Sequence, residues 1–361
     1  MVALRAEVAS TRIVAATARP LDVPMKRAFG IAGGAQALAR NVLVTIELAG
    51  GVRGHGEAAP FPAFNGETQE GALADLDRVL PELVGRDVRD FLARVDCDAI
   101  ASALCAIETA IVDAQARAEG RSLYAFFGGA EDVLVSDVTI VTGSVNDAAR
   151  DASAFARFRT LKIKVGGHDL DRDVARVLAV HAARPDAELL LDANGGFTVD
   201  EAIHLAAELA RAGVRPAFFE QPIAPGDWAA LAEVRAKTGL SIVIDESVSR
   251  VFDVAEAVRH RAADAVNVKI MKSGIFEAVA IARAAAAAGL ERMIGGMVET
   301  RLAMGTSACI AAGLGGFRIV DLDTPLFLAS DPFEGGYRYD GDRVDLRPIT
   351  LGHGCVPTSL G

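Results

Sequence analysis

In the second half of this chain, charged residues close a series of short apolar runs at nearly even intervals: Lys164, Asp192, Glu220, Asp245 and Lys269, and then Asp321 with Asp323. The steps between the first five are 28, 28, 25 and 24 residues. Each step is close to the length of one strand, one helix and their two loops. A (β/α) barrel gathers its functional side chains at the carboxyl ends of its strands, so a charge at the end of each run is the mark of that fold.

Texture along the chain agrees. Residues 12–48 read as strand, with NVLVTIEL at 41–48 as the clearest run and a Gly-rich interruption, GIAGG, at 30–34. A loop-like stretch, GHGEAAPFPAFNGET, occupies 54–68, and helical periodicity covers about 68–119. From residue 128 short strands alternate strictly with helices: VSDVTIV, LKIKV, ELLLDAN, AFFEQP, SIVIDES, AVNVKI, RMIGGMVE and RIVDLD, separated by runs such as DEAIHLAAELARAG. The expectation is an α/β protein: a modified TIM-type (β/α)7β barrel over 128–325, with an α+β capping domain at 1–127 completed by the tail 326–361.

At 51% hydrophobic residues the chain can bury a large core. Its formal charge of −11, with no basic stripe and only three Tyr and one Trp, argues against nucleic acid or an anionic membrane as partner. Cys97, Cys105, Cys309 and Cys355 follow neither a metal-ligand spacing nor a disulfide framework. With no apolar run of membrane-spanning length or export signal, a cytoplasmic protein is expected. Oligomeric state is not legible, and a homo-oligomer stays open.

Asp192, Glu220 and Asp245 end three consecutive parallel strands and so point into one small volume. Any one alone reads best as a helix N-cap. Three in register carry a repulsion that a divalent cation removes, and oxygen-only ligation favours Mg2+. In LKIK, period two puts Lys162 and Lys164 on one face, the barrel interior, since outward positions are covered by helices. Two neighbouring ammonium groups are expected to depress each other's pKa, making at least one a usable general base. Lys269 lies four strands from Lys164, across the mouth; alone it reads as an ion-pair partner, with Glu246 the candidate. Opposed lysines flanking a metal suggest one base on each face of a single carbon, inverting its configuration. The proton removed is then α to a carboxylate, and a cation beside that carboxylate must stabilise the enediolate. Asp321 and Asp323 share a face by the same period, a site for a substrate ammonium group. Singly, either would read as a cap or as a hydrogen bond to Thr324.

These motifs, LKIKVGG, LLLDANGGF, FFEQPI, VIDES, VNVKIMKSGI and DLDTPLFL, resemble the enolase superfamily, muconate-lactonising subgroup, and within it the dipeptide epimerases. PMKRAFGIAGG and GHGEAAPFPAFNGET resemble the two specificity loops of the capping domain, so the likeness spans almost the whole chain. It implies Lys164 and Lys269 as the acid/base pair, Asp192, Glu220 and Asp245 as Mg2+ ligands, Lys162 and Thr139 near the substrate carboxylate, Asp321 and Asp323 on the α-ammonium, and Met297 lining the pocket. The implied activity is epimerisation of a dipeptide at the α-carbon of its C-terminal residue. Phe197 stands where many relatives have Trp, and Ala28 where a Pro often precedes the Phe of the first loop.

Other readings remain beside it. An o-succinylbenzoate synthase, N-acylamino acid racemase or cycloisomerase would share metal and lysines, a Schiff-base lyase would use a lysine as nucleophile, and a non-catalytic barrel would need none of them. Lys26 and Arg27 suit an acidic substrate side chain, whereas the acidic surplus suits a cationic one. The sequence does not choose. Gly54-His55-Gly56 lacks the third glycine and the strand-to-helix setting of a dinucleotide fingerprint, and no histidine pair has ligand spacing.

Overall fold

The computed structural model describes residues 11–31, 34–91, 97–167 and 169–358. The N-terminal segment, part of the Gly-rich interruption and residues 92–96 of the helical stretch lie outside them. The chain opens with a long antiparallel hairpin, β1 (Ile13–Ile31) and β2 (Gly34–Leu48), to which β3 (Arg53–Ala58) adds a third strand. The short α1 (Pro62–Asn65) precedes α2 (Gln69–Leu83), α3 (Ala101–Ala118) and α4 (Leu123–Phe126).

The helical stretch read as continuous is broken between α2 and α3. Pro81 enters the last turn of α2, Val84 is extended, and Gly85 takes φ +92°, so the ladder cannot continue. The Gly54 and Gly56 of the discounted glycine motif have a packing reason. A Cβ on Gly56 would stand 1.9 Å from Ala106 O and one on Gly54 2.1 Å from Ala110 O. Glycine on β3 and alanine on α3 let helix and strand meet backbone to backbone.

Beyond β4 (Val133–Val135) come eight parallel strands: β5 (Val138–Ile140), β6 (Thr160–Lys164), β7 (Glu188–Asp192), β8 (Phe218–Glu220), β9 (Ser241–Ile244), β10 (Ala265–Val268), β11 (Glu291–Ile294) and β12 (Ile319–Val320). Between them run α5 (Val145–Ala154), α6 (Leu170–Ala183), α7 (Val199–Arg211), α8 (Trp228–Thr238), α9 (Val251–His260), α10 (Ile275–Ala287) and α11 (Arg301–Leu314). Capping boxes at Ser144/Asp147 and Thr198/Glu201 start α5 and α7, and a left-handed Gly239 ends α8. The run VSDVTIV, read as one strand, is two. Ser136 N donates to Asp342 O at 2.7 Å and Asp137 N to Val320 O at 2.8 Å, which turns β4 toward the tail and closes the barrel between β12 and β5.

Alternation decides what faces inward. Leu190, Phe218, Val243, Ala265, Met293 and Ile319 form an apolar cluster of their own, while Leu191, Phe219 and Ile244 belong to the larger core beneath the helices. Two residues on from each member of the inner cluster stand Asp192, Glu220, Asp245, Asn267, Gly295 and Asp321. The inner layer is thus a dry floor, with the chemistry one level above it.

After a 3-10 turn at Thr324–Phe327, the tail forms β13 (Phe333–Gly335), β14 (Arg338–Asp340), β15 (Arg343–Asp345) and β16 (Cys355–Pro357). β15 pairs with β14 and β4, β13 pairs with β16, and Ala329 N reaches Pro24 O on β1 at 2.7 Å. Among the described residues no helix is long and apolar enough to cross a membrane.

One buried carboxylate, Asp113 on α3, ties the tail to the first sheet. It accepts His55 N at 3.0 Å, His353 N at 2.9 Å and Arg117 Nε at 2.8 Å, and His353 Nε2 lies 3.0 Å from His55 O. Burial lowers the pKa of His55 to about 4, overriding the pull of Asp113, and burial lowers that of His353 also. A histidine with a depressed folded-state pKa contributes stability that is fully present above about pH 6.5, where the unfolded chain is also neutral, and that is lost as pH falls toward 4. From His55 alone the loss is about 3 kcal/mol. Urea melts of wild type and His55→Asn between pH 7 and 4 check this: the stability difference between them should shrink as pH falls, and a constant difference would show that His55 has the same pKa in the folded and unfolded states.

Candidate active site

The metal, catalytic and substrate-binding residues expected from the sequence lie together toward the carboxyl end of the barrel, among the described residues. Lys162, Lys164, Lys269, Thr139, Met297, Asp321 and Asp323 all line one pocket, joined by Phe61 and Phe64 from the first sheet's loop and by Gly296 and Met304. Asp192, Glu220 and Asp245 lie just beneath, each 0 or 1% exposed.

The cations and carboxylates interleave. Lys162 Nζ is 2.7 Å from Glu220 Oε2, 2.8 Å from Asp321 Oδ2 and 3.2 Å from Asp192 Oδ2. Lys164 Nζ is 2.6 Å from Asp192 Oδ2 and 3.2 Å from Asn194 Oδ1. Lys269 Nζ is 2.6 Å from Asp245 Oδ2 and stands over the Phe64 ring at 5.2 Å. Glu246, the sequence's candidate partner for Lys269, instead accepts Asn194 Nδ2 at 3.0 Å. Asp245 won because it shares Lys269's inward parity, whereas Glu246 follows one residue later.

At Lys162 the expected depression by a neighbouring ammonium is not found. Burial acts to lower Lys162, but Asp321, Glu220, Asp192 and Asp137 together raise it well above the usual value; Lys269 is likewise raised against burial, chiefly by Asp245. At Lys162 and Lys269 lysine repulsion loses because the carboxylates stand within hydrogen-bond range of each ammonium. The carboxylates divide: burial and Asp192 push Glu220 up to about 7, whereas Lys164 and Lys162 overcome burial and bring Asp192 down to about 2.

Whether these residues suit a divalent ion can be judged from the oxygens. Glu220 Oε2 and Asp245 Oδ2 are buried and make no hydrogen bond, their lysine contacts being charge contacts without hydrogen-bond angles. Their other oxygens are held: Asn267 Nδ2 donates to Glu220 Oε1 at 2.6 Å, and Lys272 Nζ to Asp245 Oδ1 at 2.8 Å. Each carboxylate thus has one oxygen fixed by a neighbour and one left for a cation, on an all-oxygen set that fits Mg2+. The three are splayed toward their lysines, however, and among the described residues the carboxylate trio with oxygens within 4.8 Å of one another is Asp137, Asp321 and Asp323.

Several residues that organise this site were not singled out from the sequence. Gln221 adopts φ +32° and Asn194 φ +44°, left-handed conformations unusual for side-chain-bearing residues. The Gln221 side chain accepts Asp245 N at 2.9 Å and Ser247 N at 3.2 Å, and donates to Ile223 O and Ser247 Oγ at 2.7 and 2.8 Å. It thereby locks the ends of β8 and β9 in register. Asn267 lies two residues before Lys269 and Asp137 two before Thr139, so period two would have exposed both. Nothing in spacing would have found Phe61, Phe64 or Met304.

At the far side of the pocket, Thr139 N donates to Asp323 Oδ2 at 2.6 Å, and burial with Asp321 pushes Asp323 up to about 7. Thr324, the alternative partner considered for this pair, bonds Glu299 O instead. Lys26 Nζ donates to Leu326 O at 2.8 Å and Arg27 pairs with Asp151 at 2.5 Å, so both basic residues of the first loop strap β1 to the barrel. The pocket is partly open and offers about 30 Å3 to the centres of water-sized groups.

Comparison with known proteins places this architecture. Residues 10–128 match the mandelate racemase / muconate lactonizing enzyme N-terminal domain, and residues 144–358 match the enolase C-terminal domain-like family. An aromatic dipeptide epimerase of Herpetosiphon aurantiacus is 43% identical over 352 residues, covering 95% of this chain and 98% of that protein. A crystal structure of a mandelate racemase/muconate lactonizing enzyme from Roseiflexus sp. superposes with a TM-score of 0.91 at 47% identity, covering 98% and 99% of the two chains. A dipeptide epimerase from Enterococcus faecalis, solved with Mg and the dipeptide L-Leu-L-Tyr, gives 0.89 at 29% identity over 95% and 99%. The chain belongs to the mandelate racemase/muconate lactonizing enzyme family of the enolase superfamily.

Proposed function

We propose that this protein is a Mg2+-dependent dipeptide epimerase that transfers a proton at the α-carbon of its substrate's C-terminal residue. The observation that carries the reading is the convergence of Lys164 and Lys269, from strands four apart, on one pocket that also holds Asp321 and Asp323. Relatives named as dipeptide epimerases along nearly the whole chain support it.

In this reading Asp192, Glu220 and Asp245 hold Mg2+. When bound, the ion supplies electrostatic stabilisation of the charge that grows on the substrate carboxylate as the α-proton leaves. Lys162, 2% exposed along its side chain, keeps a fixed positive charge beside that carboxylate, with Thr139 next to it. One of Lys164 and Lys269 removes the α-proton, and the other delivers a proton to the opposite face of the planar enediolate, so the configuration inverts. A lysine that accepts a proton must first be neutral. Burial already acts to lower the Lys269 pKa, and Asp245 is the foremost group holding it up, so drawing Asp245 away prepares Lys269 as a base. Asp321 and Asp323 receive the α-ammonium, which sets a dipeptide apart from the N-acylated and unaminated substrates of sister enzymes.

Side-chain preference follows from the walls. With Lys26 and Arg27 tied elsewhere, no basic side chain from the first loop faces the pocket, and Phe61, Phe64, Met297 and Met304 form its apolar wall beside the lysines and carboxylates. That lining suits an apolar or aromatic residue. The word "aromatic" in the name of the Herpetosiphon relative and the L-Leu-L-Tyr bound by the Enterococcus protein lean the same way.

Three outcomes test the proposal. Incubation with an apolar dipeptide and Mg2+ in D2O should place deuterium at the C-terminal residue's α-carbon alone, read by mass spectrometry and NMR; no incorporation across an apolar dipeptide panel would end it. Asp321→Asn or Asp323→Asn should cut kcat/KM on a free-amine dipeptide about 10- to 100-fold, the scale of a lost hydrogen bond to a charge; near-wild-type rates would return the choice to the sister reactions. Competition between Ala-Phe and Ala-Glu should favour the former at least about tenfold, and preference for Ala-Glu would contradict the apolar lining.

A further inference from the structure

Beneath the Asp321 and Asp323 pair stands a third carboxyl that the proposed mechanism does not use. Asp137 is 2% exposed, immediately precedes β5 at the barrel seam, and has no hydrogen-bond partner at either Oδ1 or Oδ2. Its oxygens lie within 4.8 Å of those of Asp321 and Asp323. A buried carboxylate that accepts no hydrogen bond and has two like charges beside it is costly even with Lys162 acting to lower its pKa, whereas a protonated carboxyl becomes a donor with acceptors at hand. Asp321 is the natural acceptor: one of its oxygens is engaged by Lys162 at 2.8 Å, and a second donor would fix the rotation of the carboxylate. Burial first, and Asp321 second, push the Asp137 pKa well above the usual carboxylate range.

We propose that Asp137 is a positioning residue that, as a neutral acid, donates a hydrogen bond to Asp321 and holds that carboxylate in the orientation that receives a substrate ammonium group. The inference rests on the epimerase reading, and it extends the ammonium clamp from two carboxyl groups to three with distinct tasks: Asp137 donates, while Asp321 and Asp323 accept. Asp137 also borders a cavity of about 100 Å3 at the lower end of the barrel, lined by Thr160, Leu190 and Ile319 and by Arg318, which pairs with Glu188 at 2.8 Å. Water there could donate to Asp137 and keep it ionised, which is the rival account. The two differ in what an amide can replace, since asparagine donates a hydrogen bond but carries no charge.

The experiment compares wild type, Asp137→Asn and Asp137→Leu on a free-amine dipeptide and on its desamino analogue as a competitive inhibitor. Asp137→Leu should raise KM for the dipeptide about tenfold or more while leaving the analogue's Ki within about twofold, because the analogue has no ammonium to misplace. Asp137→Asn should keep most of the wild-type ratio of KM to Ki. An infrared band of a protonated buried carboxyl, present in wild type and missing from Asp137→Asn, reports the proton directly and does not depend on how well the leucine variant folds. Asparagine failing as badly as leucine, both ligands shifting together, or the absence of that band would overturn the inference. Failure of wild type to exchange any dipeptide's α-proton would instead sink the epimerase reading, with the infrared result still standing on its own.

Discussion

Charge compensation inside a dry barrel governs this protein. Lys162, Lys164, Lys269 and Lys272 are set among Asp192, Glu220, Asp245 and Asp321, nearly all out of contact with bulk water. None of these groups could be ionised there alone, because the cost of desolvating one charge exceeds what a folded domain has to spare. Together they tolerate burial, since each ammonium lies within about a hydrogen bond of an acid. The arrangement is expensive as architecture, and its sense is chemical: low dielectric and fixed partners make the field at the pocket strong.

The rest of the fold serves that cluster. Parallel strands with a two-residue side-chain period stack an apolar layer under a charged one, and the helices seal the outer face. Gln221 and Asn194 hold unfavourable backbone angles where β8 and β7 end; the Gln221 amide bridges to the end of β9, and the Asn194 amide meets Lys164 on β6 and Glu246 beyond β9. Strain of that kind persists only where surrounding bonds over-determine it. Above the mouth, Phe61 and Phe64 arrive from the start of α1 and α1 itself, just after β3, which is held by the glycine-on-alanine packing of β3 against α3. The tail completes the seam through β15 with β4 and through the buried Asp113 network, so the parts that shape the pocket are fastened at several remote points.

The positions of Lys164, Asp192, Glu220, Asp245, Lys269, Asp321 and Asp323 were legible because barrel geometry converts sequence spacing into spatial convergence. Asn267 and Asp137 were legible by the same rule and were passed over, since neither stands at the very end of its run. The break between α2 and α3 and the splitting of VSDVTIV into two strands were hidden by apolar periodicity that ran across both.

Spacing and period, then, determined by themselves which side chains face inward and at what height, because both are properties of the backbone's own repeat. Only the tertiary structure decided which acid each lysine meets, and with it the direction in which the Lys162, Lys269, Asp192 and Glu220 pKa values move: distances of 2.6 to 3.2 Å across different strands settle the balance between burial and attraction. It also decided what walls the substrate would touch, since Phe61, Phe64 and Met304 come from segments far apart in the chain, and no local rule brings them together.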